Sequence, residues 1–98
     1  MIAQTQNPEG RTVLLAKDQC DHVLEQHVEM SGHLAETLRA IGTPDHREPD
    51  PRAGRERYFA RGGPLRWIRV VTELHGSVDR LVTAFPQSND PREVRLSR

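Results

Sequence analysis

The residues able to do chemistry fall into two groups. The first is five histidines, His22, His27, His33, His46 and His75. Imidazole titrates near neutrality, so it serves both as proton donor and as proton acceptor. The second is the set of arginines at Arg57, Arg66, Arg69 and Arg80, interleaved with Tyr58, Trp67 and Thr83. Guanidinium presents forked donors that match phosphate oxygens, and an aromatic ring beside it can stack on a base. Metal chemistry finds little support. His22 and His27 are five residues apart, which is about 140° around a helix, whereas zinc-binding helices place two histidines four apart. Cys20 is the single cysteine, which excludes a multi-cysteine zinc site and an internal disulfide framework. No glycine-rich phosphate loop and no serine elbow occurs, so no metal and no cofactor is assigned.

The elements that must position these groups follow from periodicity. Residues 1–10 are polar and contain the breaker cluster Asn7-Pro8-Glu9-Gly10, which predicts a flexible tail. Thr12-Val13-Leu14-Leu15 is a short apolar run, a strand or the lead-in to a helix. Cys20, Val23, Leu24 and His27 fall on one face of a helix from Lys17 to about His27. His22 projects away from that stripe. Ser31 is placed as the N-cap of a second helix with Leu34, Leu38 and Ile41 as its stripe and Gly42 as a left-handed C-cap. Residues 44–55 carry three prolines and a glycine and read as a long loop. Three strands then follow, over 56–61, 65–74 and 78–85, with turns at Gly62-Gly63-Pro64 and His75-Gly76-Ser77 and a stop at Pro86. With a side-chain period of two, Ile68, Val70, Thr72 and Leu74 face the helices, while Trp67, Arg69 and Val71 lie on the open face.

The predicted fold class is therefore α+β: two N-terminal helices packed on an antiparallel β-meander of three to four strands. The chain of 98 residues makes one domain, with residues 11–86 as its body and 87–98 as a polar C-terminal tail. Hydrophobic residues make up 35% and charged residues 29%, and no apolar run is long enough to span a membrane. The first residues lack the basic and apolar blocks of a secretory signal, so the expected location is the cytoplasm. The formal net charge of zero hides a split: residues 1–50 hold four basic and nine acidic residues, and residues 51–98 hold ten arginines and five acids. A basic half suits a nucleic-acid backbone. Mutual pairing of the two halves in the folded state is the equally weighted alternative.

One resemblance adds to this reading. His22-Val23 followed by His27-x-Glu29-Met30, a helix ending near Thr43-Pro44-Asp45, Glu56-Arg57-Tyr58-Phe59, a Val70-Val71 strand and Leu81-Val82-Thr83-Ala84-Phe85 occur in this order. The pattern, over about residues 12–86, resembles phage- and toxin-associated nucleases of the barnase–EndoU–colicin–RelE-like class. Two positions depart from it: Val28 stands where those proteins often have proline, and Phe85 where they usually have tyrosine. The resemblance implies a metal-independent, toxin-like ribonuclease, in which the RNA 2′-hydroxyl attacks the adjacent phosphate and leaves a 2′,3′-cyclic phosphate. Carried over by position, it implies His22 as general acid or base, Arg57 as phosphate stabiliser and Thr83 as hydrogen-bond donor to a phosphate oxygen. Tyr58, Arg66, Trp67, Arg69 and His27 are the expected RNA-contacting residues. The implied partners are RNA and an antitoxin or immunity protein. The competing expectation is a non-catalytic member of the same fold that binds RNA or protein.

Overall fold

The structure, a computed structural model, describes residues 3–62 and 65–92. The elements run β1 (Ala3–Gln6), β2 (Thr12–Leu15), α1 (Lys17–Gln26), a 3-10 turn (Val28–Met30), α2 (Leu34–Gly42), β3 (His46–Pro49), β4 (Arg55–Gly62), β5 (Leu65–His75) and β6 (Val78–Gln87). All six strands form one sheet in the order β1-β2-β6-β5-β4-β3. Every neighbouring pair is antiparallel except β2 and β6, which run parallel. The α+β class with two helices and the β4-β5-β6 meander agree with the sequence reading. The sheet is larger than expected and mixed rather than purely antiparallel.

Three short strands account for the difference. The N-terminal segment is not a loose tail, because Asn7 closes it into a hairpin. The Asn7 Oδ1 accepts from the backbone N–H groups of Glu9 and Arg11, each at 3.0 Å. Gly10 takes the left-handed conformation, with φ 84°, that such a turn needs. The long loop after α2 contains β3, whose residues alternate faces against β4 in the register His46↔Phe59, Arg47↔Tyr58, Glu48↔Arg57. Its proline, Pro49, is tolerated because β3 is an edge strand. Pro86 likewise does not stop β6. Among the described residues β2 pairs with β6 only at Asp79 and Arg80, so the rest of that edge has no ladder to interrupt.

Helix boundaries also shift. α1 ends at Gln26, and His27 occupies its C-cap position. Ser31 closes the 3-10 turn instead of opening α2, which starts at Leu34 with His33 in the N-cap position. Gly42 is the last helical residue of α2, and Thr43 donates its N–H to the Arg39 carbonyl at 2.8 Å. The turn at Gly63-Pro64 and the tail residues 93–98 lie outside the described residues.

The core lies between the helices and one sheet face. Ile68 and Val70 of β5, Tyr58 and Ala60 of β4, and Leu81 and Ala84 of β6 pack against Val23, Met30 and Ile41. The alternation read from the sequence holds for Ile68, Val70 and Thr72, but Leu74 lies 55% exposed near the strand end. On β6 the alternation breaks. Val71 pairs with Thr83 and Thr72 with Leu81, which leaves Val82 as an extra, bulged residue. Its carbonyl accepts a hydrogen bond from the Gln19 side chain of α1. The bulge lets Leu81 and Ala84, three residues apart, both point into the core. It equally lets Arg80 and Thr83 share the opposite face, paired with Glu73 and Val71.

Tyr58 is fully buried, and its hydroxyl accepts from Asn7 Nδ2 at 3.0 Å and from the Arg47 guanidinium at 3.4 Å. Tyr58→Phe keeps the ring and strands the buried Asn7 amide, so it should cost about 1–3 kcal/mol. A urea titration of the variant measures this, and a loss below about 0.5 kcal/mol would show that the hairpin stands without the bond.

Candidate anion site on the outer sheet face

Alternation puts a second set of side chains on the face away from the helices. Cross-strand pairs carry it across four strands: His46 and Glu48 on β3 lie beside Phe59 and Arg57 on β4. Phe59 and Arg57 lie beside Arg69 and Val71 on β5. Arg69 and Val71 lie beside Phe85 and Thr83 on β6. This face is not bare. Phe59, Trp67 and Val71 are each at most 5% exposed, yet none belongs to the main core. Arginines cover the rings.

Arg69 holds the middle. Its guanidinium carbon lies 5.8 Å from the Phe59 ring centre and 5.3 Å from that of Phe85, within cation–π range of both. Its Nε is buried without an acceptor, and among the described residues it makes no ion pair. Burial, and secondly the nearby Arg57 charge, push its pKa below the ordinary arginine value. Arg57, one strand away, is paired with two acids. It donates from Nε to Asp50 at 2.8 Å and from Nη1 to Glu48 at 3.1 Å. The other Glu48 oxygen lies 3.0 Å from His46 Nε2. Burial pushes the Glu48 carboxyl up, but the bonds from His46 and Arg57 outweigh it and hold it below the usual carboxylate value. Asp50 is also held low, first by the Arg52 backbone N–H and then by Arg57. A hollow of about 510 Å³ opens over this group, lined by Glu48, Arg57, Phe59, Arg69 and residues 87–91.

His27 reaches the same face from the helical layer. Its ring stacks on Phe85 with centroids 5.1 Å apart and an interplanar angle of 27°. The approach is open because no described strand covers that end of β6.

The residues singled out from the sequence are thus distributed unevenly. Arg57, Arg69, Thr83, Trp67 and His27 share the outer face. Arg57 and Thr83 flank Val71 on its two sides, so their backbones are two strand spacings, about 10 Å, apart. Thr83 does not line the hollow. His22 is exposed on α1, and among the described residues it has no hydrogen bond or ion pair. Tyr58 lies in the core on the helix side, so its ring is not on the open face. Arg66 alternates to the Ile68 side of β5 and is exposed there. His46, Glu48, Asp50, Phe59 and Phe85 complete the group. The signal that finds three of them is the spacing His46-x-Glu48-x-Asp50, a strand period inside the proline-rich segment.

A second cleft, of about 160 Å³ between the helices and β6, is lined almost wholly by apolar side chains such as Leu15, Val23, Met30 and Leu81. Its one titratable group is Cys20, whose thiol burial pushes up. Comparison with known proteins adds no relative: no family model, no curated protein and no solved structure matches the chain.

Glu48 and Asp50 are held below their ordinary values of 4.5 and 3.8. Their stabilisation is complete above those values and is lost as pH falls through the depressed ones. Urea midpoints should therefore drop as pH falls below 4.5. Glu48→Gln should flatten that acid limb, and an unchanged limb would show that the Arg57 cluster does not couple to folding.

Proposed function

We propose that this chain is a metal-independent ribonuclease whose site is the arginine-rich hollow of the outer sheet face. The observation that carries the proposal is Arg69, a half-buried guanidinium that makes no ion pair among the described residues and whose Nε has no acceptor, beside the ionised Glu48 of the His46–Glu48–Arg57 chain. An unpaired cation in a partly dry slot calls for an anion, and a phosphodiester is the anion that a row of arginines and aromatic rings fits best.

The chemistry needs three parts. A base takes the proton of the 2′-hydroxyl as its oxygen attacks phosphorus. Glu48, ionised and braced by His46 and Arg57, has the protonation state for it. Cations hold the charge that grows on the phosphorane oxygens, the part taken by Arg69 and Arg57. An acid returns a proton to the departing 5′-oxygen, which leaves as a hydroxyl and yields a 2′,3′-cyclic phosphate. His27, stacked on Phe85, is the histidine of α1's end that faces this side. His22 is the one implied by the resemblance to toxin-associated nucleases, and Thr83 is the hydroxyl it implies on a phosphate oxygen. In that reading the enzyme acts in a toxin–antitoxin or phage-related setting, in the cytoplasm, and an antitoxin or immunity protein covers the hollow. Among the described residues no helix is long and apolar enough to cross a membrane.

A second reading is favoured by one observation. Arg57 is already neutralised by Glu48 and Asp50, as suits a module that binds RNA or protein without cutting it.

Purified chain should cleave single-stranded RNA in EDTA and release cyclic-phosphate ends. Arg69→Met keeps the packing between the rings and removes the charge, so it should cost on the order of 10²–10³-fold in kcat/KM with the fold intact. Glu48→Gln should cost on the order of 10²–10⁴-fold. His22→Ala and His27→Ala, assayed side by side, decide which imidazole returns the proton. RNA binding without cyclic-phosphate product in the wild type selects the second reading.

A further inference from the structure

Trp67 has the wrong surroundings for a buried indole. It lies on the outer face, outside the main core, and yet is only 3% exposed. Two guanidiniums cover it. Arg61, its cross-strand partner on β4, has its guanidinium carbon 5.2 Å from the ring centre. Arg92, from beyond the end of the sheet, has its own at 5.1 Å.

The segment that brings Arg92 there is weakly tied. The last ladder pair of β6 is Gln87 with Trp67. Among the described residues, every hydrogen bond made by residues 88–92 stays local. Gln87 Nε2 donates to the Asn89 carbonyl at 2.8 Å. Asp90 receives the Arg92 backbone N–H at 2.8 Å and the Arg92 side chain at 3.0 and 2.9 Å. This fork fixes the guanidinium plane against the indole. The same residues, 88–91, wall the hollow that contains Arg57 and Arg69.

Spacing joins the two features. Trp67 and Arg69 are two residues apart on one face of β5, about 7 Å along the strand. That is the scale of one nucleotide, from its phosphate to its base. A guanidinium lying over an indole is planar and π-stacked, as a nucleobase would be.

We infer that Trp67 is the nucleobase subsite of the outer face, held closed by residues 88–92, with the Arg92 guanidinium occupying the place of the base. The inference rests on the RNA reading above and adds a position and a gate to it. An unstacked base entering over Trp67 displaces Arg92. The phosphate on its 5′ or 3′ side then meets Arg69. Free chain therefore keeps its one indole covered until single-stranded RNA competes for it.

The chain contains one tryptophan, so its fluorescence reports on this ring alone. The probe is a 2′-O-methyl hexanucleotide, which can bind but cannot be cleaved by 2′-hydroxyl attack. In the full chain it should change Trp67 emission on binding. Arg92→Ala should raise acrylamide quenching of Trp67 and tighten hexanucleotide binding about threefold to tenfold, since the base no longer has to displace a cation–π contact. Unchanged quenching in Arg92→Ala would overturn the gate. Weaker binding would overturn it too, because Arg92 would then be a ligand contact rather than a stand-in. Binding that leaves Trp67 emission unmoved would sink the base subsite while the ribonuclease reading stood. Absence of both hexanucleotide binding and RNA cleavage, in wild type and variant alike, would remove both.

Discussion

Arg69 carries a positive charge into a slot between two aromatic rings, and the outer face is arranged around that charge. Desolvation works against it and the neighbouring Arg57 works against it, while the charges of Asp50 and Glu48 and the ring contacts with Phe59 and Phe85 work for it. A structural role alone would be served better by an apolar side chain of similar volume. Among the described residues no carboxylate bonds to Arg69, so its donors stay available on a pre-shaped face. The acids that would naturally quench it, Glu48 and Asp50, are instead drawn to Arg57. One arginine absorbs the local negative charge, and the other is left open.

This partition answers the question raised by the charge split along the chain. The acids of the first half meet an arginine of the second at Arg57 with Glu48 and Asp50, while Arg11 with Asp79 and Arg47 with Glu56 cross the halves in the opposite sense. Several of these pairs tie the edge strand β3 and the first hairpin to the central meander. Most are partly exposed and individually weak. Their effect is on registration, because they fix which side of β3 looks outward and so bring Glu48 to the hollow with His46 bonded behind it.

The inner face supplies the rigidity on which this depends. Tyr58, Ile68, Val70 and Ala84 form a continuous apolar floor under the helices, and the buried Asn7–Tyr58 bond locks the first hairpin to it. At Val82 the floor and the outer face are exchanged by a single extra residue, whose carbonyl is satisfied by Gln19. Without that bulge, Thr83 and Arg80 would fall on opposite faces, and either Leu81 or Ala84 would leave the core.

The class of fold, the two helices, the meander and the inward set of β5 were legible from the chain itself, because they rest on local periodicity and on turn residues that act over a few positions. His27 could be placed at a helix end, and Arg69 and Trp67 on the open face, for the same reason. What lay beyond that was decided by contacts distant in sequence. The hairpin that Asn7 closes is tied into the core through Tyr58, fifty-one residues away. Whether His46-x-Glu48-x-Asp50 is a loop or a strand depends on an edge of β4 being free to receive it. Whether an arginine on an open face is paired or free is invisible in a linear pattern, since charge balance is set by neighbours across strands. Only the folded sheet, by placing Arg57 among acids and Arg69 among rings, distinguishes the two.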